Sequence, residues 1–196
     1  MNNPSPLPTV QVSMGYLRQA QSAAPEAERD VSCVAVYQRE LDYLFETLGR
    51  LGASPREIED LAHEIFLVLL RNWADLDLSR PVRPYLFAIA FRVVCAHRRR
   101  RRREVPYAYL DAKDQATGPE ESLQSKESTR LLIAALDTVP LPRRAVVVMH
   151  DLDGFSIVDV AAKLSITRFG AYARLRKARK ELESALRRLL REGVRR

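Results

Sequence analysis

Residues 153–182 read Asp153-Gly154-Phe155-Ser156-Ile157-Val158-Asp159-Val160-Ala161-Ala162-Lys163-Leu164-Ser165-Ile166-Thr167-Arg168-Phe169-Gly170-Ala171-Tyr172-Ala173-Arg174-Leu175-Arg176-Lys177-Ala178-Arg179-Lys180-Glu181-Leu182, and they decide the fold. Asp153-Gly154 closes one helix, and Ser156 with Asp159 three residues on forms a capping box that opens the next. That helix, Ile157 to Leu164, is short and leads into a three-residue turn, Ser165-Ile166-Thr167. Thr167 caps a longer helix from Arg168 to about Leu190, in which Ala171, Leu175, Ala178 and Leu182 recur at spacings of four, three and four. A short helix, a tight turn and a long basic helix make a helix-turn-helix. With the alanine and leucine stripe inward, Arg168, Tyr172, Ala173, Arg176 and Lys177 are left free to face a DNA major groove. Arginine offers guanine a bidentate fork there, and lysine or tyrosine reaches base or phosphate.

Upstream, helical spacing returns at Leu131 to Leu136 and Arg143 to Leu152, so one helical domain spans residues 125–192. Residues 104–124 lose the periodicity, are polar and contain Thr117-Gly118-Pro119, the composition of a flexible linker. Before the linker a second helical domain occupies 32–103, and its first helix runs from Val34 to Leu51, where Gly49 and Gly52 end the pattern. Ser54-Pro55-Arg56-Glu57 is a capping box with proline at the first helical position, opening a helix that reaches about Trp73. That helix turns Ile58, Leu61, Ala62, Ile65 and Leu69 inward, and Phe66, Leu70 and Trp73 broaden the buried face. Glu57, Asp60, His63 and Glu64 stand opposite. Pro81 and Pro84 keep Asp75 to Pro84 a loop, and the following helix, Tyr85 to about Arg101, runs into six consecutive arginines, Arg98 to Arg103. Residues 1–31 carry Pro4, Pro6, Pro8 and Pro25 among small polar residues, which predicts disorder. The expected fold class is all-α: two small helical domains joined by a flexible linker, the second a helix-turn-helix domain.

Charge is concentrated rather than spread. The formal net charge is +7, yet six positive charges sit in Arg98 to Arg103, and residues 167–196 hold eleven Lys or Arg against three Glu. The remainder is net acidic. Two basic zones on an acidic body fit a polyanion on two surfaces and a basic partner on a third. No apolar run approaches the roughly 18 residues of a membrane span, and the N-terminus lacks a signal-peptide pattern, so a cytosolic protein without membrane insertion is expected. Cys33 and Cys95 form no CxxC pair and read as reduced structural thiols. His63-Glu64 begins like a zinc-protease motif, but Leu67 stands where its second histidine is required. Neither a metal or cofactor site nor a catalytic constellation emerges, which argues against an enzyme.

Two blocks of residues then carry a specific resemblance. Glu59-Asp60-Leu61-Ala62-His63-Glu64-Ile65-Phe66 and Tyr85-Leu86-Phe87-Ala88-Ile89-Ala90, leading into the arginines, resemble the second conserved region of bacterial RNA polymerase sigma factors. Asp153-Gly154-Phe155-Ser156, Val160-Ala161 and Arg174-Leu175-Arg176-Lys177-Ala178-Arg179 resemble the fourth. The likeness covers about residues 34–190 and is nearest the small, two-domain extracytoplasmic-function class. It implies that Asp60, His63 and Glu64 dock on core RNA polymerase, and that Arg80, Arg83, Tyr85, Arg92, Arg98 and Arg99 hold and open the promoter's minus-ten element. It further implies that Arg144, Arg168, Tyr172, Ala173, Arg176 and Lys177 meet the minus-thirty-five element, and that an anti-sigma factor regulates the protein. The chain departs from the family pattern at Phe91-Arg92, at Ala96 and at Phe169-Gly170-Ala171-Tyr172-Ala173. A free-standing helix-turn-helix regulator is the alternative, and the acidic docking face together with two unlike basic zones on one protomer disfavours it.

Overall fold

The computed structural model describes residues 32–104 and 123–193, which form eight α-helices and no strand. The proline-bearing segment 1–31 and most of the expected linker, 105–122, lie outside the described residues. Four helices build the first unit: α1 (Cys33–Arg39), α2 (Leu41–Arg50), α3 (Pro55–Arg71) and α4 (Arg83–Glu104). The helix expected from Val34 to Leu51 is therefore divided, and the division falls at Glu40. Its carboxylate is buried and accepts hydrogen bonds from Arg39 Nε at 2.9 Å and Arg83 Nε at 2.7 Å. Burial alone would raise the Glu40 pKa, but the two guanidinium groups outweigh it and bring it below the usual carboxylate range. A carboxylate this buried is tolerable only with such partners, so Arg83, forty-three residues away, fixes where α1 stops.

The α3 capping box forms as expected: the Ser54 amide and hydroxyl both donate to Glu57 Oε2, at 2.8 and 2.7 Å. The helix stops at Arg71, two residues short of expectation, because the Asn72 side chain donates to the Val68 carbonyl at 2.7 Å and a single 3-10 turn, Trp73–Asp75, follows. Leu61, Ala62, Ile65 and Leu69 are buried, whereas Leu70 is exposed and Trp73 half-buried, so the apolar face is narrower than its sequence implied. This stripe packs on Leu44 and Leu48 of the second helix, on Leu51 that caps it, and on Leu86, Phe87, Ala90 and Val94 of the fourth. Each buried leucine, isoleucine, valine or phenylalanine among them contributes about 1.5–3 kcal/mol on leaving water.

The second unit comprises α5 (Leu123–Thr138), α6 (Leu141–Val147), α7 (Ile157–Lys163) and α8 (Arg168–Gly193). The sequence predicts regular helix through Leu152, but α6 widens into a π-turn over Val148–Leu152, where the Asp153 amide reaches back to the Val148 carbonyl at 3.0 Å. Gly154, at φ +75°, then reverses the chain. In the turn between α7 and α8, Ser165 adopts φ +55° and the Ile166 amide bonds the Ala161 carbonyl at 2.9 Å. Ala171, Leu175 and Ala178 are buried, as their spacing requires, with Leu182 packed against them.

The units also pack on each other, α7 against α4 and α5 against α2, within one continuous core. A polar seam runs beside it. The Asp153 side chain, 3% exposed, accepts from Tyr43 Oη at 2.9 Å and Arg50 Nη1 at 3.3 Å.

Candidate nucleic-acid interface

The exposed face of α8 is built by its cap and its stripe. Thr167 Oγ1 accepts the Gly170 amide at 3.0 Å, fixing the start of the helix, and burial of the alanine and leucine stripe fixes its rotation. Arg168, Tyr172, Ala173, Arg176 and Lys177 are all exposed. Other cations of this unit serve the bundle: Arg143 pairs with both carboxylate oxygens of Glu181 at 2.9 and 2.8 Å, and Arg179 with those of Asp151 at 2.8 and 2.6 Å. Arg144 corrects its expectation as a DNA contact. Its side chain is 3% exposed, donating to the Val139 carbonyl at 3.2 Å and to Asp137 Oδ1 at 2.9 Å. Burial lowers its pKa to about 10, against the opposing pull of Asp137.

Sequence reasoning left out two residues, Phe169 on this face and Lys163 at the end of α7. Phe169 is 84% exposed in the first turn of α8. Its signal is present in the sequence, since position 169 lies off the buried stripe that Ala171, Leu175 and Ala178 define. Lys163, at the end of α7, places Nζ 5.8 Å from the centroid of the Tyr85 ring in the other unit. Burial lowers the Lys163 pKa, and Arg80 and Arg92 act in the same direction, so this ammonium shares a cationic neighbourhood with the loop before α4 and with α4 itself.

On α4 and the loop before it, the residues expected to meet DNA divide. Tyr85 and Arg92 are half-buried, and Arg80 is exposed beside Asp77 at 3.1 Å. Arg83 is held by Glu40 and lies over the Tyr43 ring, 4.9 Å from its centroid. The arginine run turns back on its own domain. Arg98, half-buried, donates through Nη2 to the Leu51 and Gly52 carbonyls at 2.8 and 3.2 Å, so it closes the α2–α3 turn and does not project toward phosphate as expected. Arg99 is exposed, with Nε 3.3 Å from the Cys95 carbonyl. Arg100 pairs with Glu64 at 3.1 Å and Arg101 with Glu57 at 2.8 Å.

The acidic face of α3 is thereby partly neutralised. Asp60 and His63 are exposed, whereas Glu64 is engaged by Arg100. Glu57 accepts from Ser54 and Arg101 and lies 2.9 Å from His97 Nε2. Burial would raise its pKa, but hydrogen bonds from the Ser54 side chain and backbone and from His97 outweigh that and hold it at about 2. Among the described residues no group of three or more His, Cys, Asp or Glu is placed to hold a metal, and no helix is long and apolar enough to cross a membrane.

Residues 36–104 match the model of sigma-70 region 2, and residues 129–182 match that of sigma-70 region 4. ECF RNA polymerase sigma factor SigL of Mycobacterium tuberculosis is 30% identical over 164 residues, covering 79% of this chain and 89% of that protein. The chain belongs to the ECF RNA polymerase sigma factors. SigW of Bacillus subtilis, another ECF sigma factor, is 24% identical over 185 residues, covering 87% of this chain and 95% of its own. Among solved structures, the sigma factor RpoE in complex with the anti-sigma factor NepR, from Bartonella quintana, superposes with a TM-score of 0.61 at 20% identity, covering 78% of this chain and 97% of that one. CnrH, in complex with the cytosolic domain of CnrY, gives 0.56 at 19% identity over 79% and 86%. Both share the fold of this sigma factor. Its function is to bind core RNA polymerase, recognise promoter DNA and direct initiation of transcription, and sigma factors are initiation factors rather than enzymes.

Proposed function

We propose a division of labour among the surfaces of this sigma factor. Asp60 and His63, with Glu64, dock on a basic surface of the core polymerase; Arg80, Tyr85 and Arg92 hold the minus-ten element; Arg168, Tyr172, Ala173, Arg176 and Lys177 read the minus-thirty-five element. Units spanning 32–103 and 125–192 carry the two recognitions. The observation supporting this reading is that the exposed face of α8 and the exposed end of the acidic α3 face belong to different units, so one protomer can engage DNA and polymerase at once. The chain contributes promoter selection and no catalytic group, and works in the cytoplasm, where its polymerase is.

Simultaneous reading of both elements requires the units to part. The element names place them about 25 base pairs apart, on the order of 80 Å along B-form DNA. Tyr85 lies against Lys163, and Arg168 begins only five residues later, within about 18 Å even along an extended chain. An anti-sigma factor that holds the units together would therefore silence the protein, the regulation that the NepR and CnrY complexes bring to mind.

Adding the purified chain to sigma-free core polymerase on promoters mapped by transcript sequencing is expected to yield transcripts from those sites alone. Failure to associate stably with core polymerase at moderate salt would overturn the reading. A chain that bound operator DNA as a dimer without polymerase would establish the alternative, a free-standing regulator.

A further inference from the structure

The first turn of α8 carries an aromatic ring that the fold does not use. Phe169 is 84% exposed, a location that forgoes about 1.5–3 kcal/mol of burial. Its position follows from helix geometry: residue 169 lies about 200° around the helix from Ala171, the first buried residue of the stripe. Phe169, Tyr172, Ala173 and Arg176 recur at the one, four, five, eight spacing of a single helical face, and every one of them is exposed. The ring thus stands at the N-terminal end of the exposed face, beside Arg168 and in line with the arginine that follows two turns on.

In a helix-turn-helix the N-terminal residues of the second helix meet base edges in the major groove. A phenyl ring has no hydrogen bond to offer there, and the apolar group that the groove presents is the C5 methyl of thymine. We propose that Phe169 is a specificity-determining residue that selects thymine in the upstream promoter element through this methyl group. The proposal rests on α8 being the promoter-reading helix and names the base feature that one of its residues recognises. Phosphate contacts from the surrounding cations supply affinity without sequence preference, and the ring supplies discrimination.

The test uses the full chain assembled with core polymerase and a duplex pool with a randomised upstream element. After selection, each thymine of the recovered element is replaced in turn by deoxyuridine, which removes only the methyl group, and affinity is measured by competition. One position is expected to lose about fourfold, the worth of one methyl group withdrawn from water. In Phe169→Ala that position is expected to bind thymine and deoxyuridine alike, whereas in the parent 5-methylcytosine placed there should bind more tightly than cytosine, a preference that Phe169→Ala loses as well. Thermal melting of Phe169→Ala should match the parent, since the ring contacts no core. The assignment is overturned if the selected element contains no thymine, if no position responds to deoxyuridine, or if Phe169→Ala keeps the same response. If instead no upstream element is selected, and Arg176→Ala leaves binding unchanged, the reading of α8 itself falls.

Discussion

Gly52 is the point where substitution should report most directly on how the two units are joined. It ends the turn after α2 at φ +85°, a region that costs a residue with a Cβ about 1–2 kcal/mol. A Cβ there would also stand 2.2 Å from Arg144 Nη1, 2.5 Å from Arg98 Nη2 and 3.1 Å from Asp137 Oδ1. These are side-chain ends and will move rather than overlap. Movement, however, takes Arg98 off the Leu51 carbonyl at 2.8 Å and Arg144 off Asp137 at 2.9 Å. Hydrogen bonds to charged groups contribute about 1.5–3 kcal/mol, and the lower end applies because Asp137 faces solvent. Gly52→Ala is therefore expected to cost about 4 kcal/mol, a large share of the 5–15 kcal/mol of typical domains.

The cost has two sources, and a second substitution separates them. Arg144→Met keeps a long buried stem but removes the guanidinium, so the strain at φ +85° and the approach to Arg98 remain, while the closest collision, with Arg144, and the bond from Arg144 to Asp137 are no longer there to lose. Urea unfolding of the four proteins, followed by far-ultraviolet circular dichroism, closes the cycle. Gly52→Ala should cost about 1.5 kcal/mol less in the Arg144→Met background than in the parent, with similar m-values. The reasoning is refuted if Gly52→Ala alone costs less than about 1 kcal/mol, the least that left-handed strain requires. It is equally refuted if the two substitutions add within about 0.5 kcal/mol, because the units would then not meet at Gly52.

Glu57 gives a pH prediction. Its folded pKa of about 2 lies below its ordinary 4.5, so it stabilises the fold above pH 4.5 and loses that contribution as the pH falls toward 2. The contribution is on the order of 3 kcal/mol, and Glu57→Gln should flatten the acid-stability curve across that window. Asp60→Lys reverses the charge at an exposed position and should weaken association with core polymerase at least tenfold while the same full-length chain retains its affinity for DNA in filter binding. Replacing both Arg176 and Lys177 by alanine should reduce the salt slope of promoter binding by about 2, and an unchanged slope would mean neither meets phosphate. Asp153→Ala removes the acceptor shared by Tyr43 and Arg50; because burial raises the pKa of Asp153, the net loss is on the order of 1 kcal/mol, and interdye energy transfer between the units should show the open fraction rising about fivefold.

Much of the architecture was readable from local rules. The Ser54 and Glu57 box, the Ser156 cap with its bond from the Asp159 amide at 3.1 Å, and Thr167 at the head of α8 all satisfy free amides within one turn, so the residues needed are neighbours in sequence. The helix-turn-helix followed from these caps and from one apolar stripe. Expectation failed where a side chain found a partner that periodicity does not register, whether forty-three residues away, as Arg83 is from Glu40, or one turn back, as the Val68 carbonyl is from Asn72. Arg83 secures Glu40 and divides the first helix, and Asp137 with Val139 draws Arg144 into the interior. The concentration of charge in Arg98 to Arg103 predicts a surface for a polyanion, yet three of its members tie α4 to the α2–α3 turn and to α3.

By itself, then, the sequence determined that the chain is helical, the caps of α3, α7 and α8, the inward stripe of α8 and the family, because each depends on periodicity and on contacts within a turn. Tertiary structure alone decided which charges are free. A guanidinium is equally cationic at Arg98, Arg144 and Arg176, but the first two find carbonyls or a carboxylate within 3 Å and the third faces water. Pairing depends on which distant groups the packing of the helices brings into range, and composition cannot supply that distance.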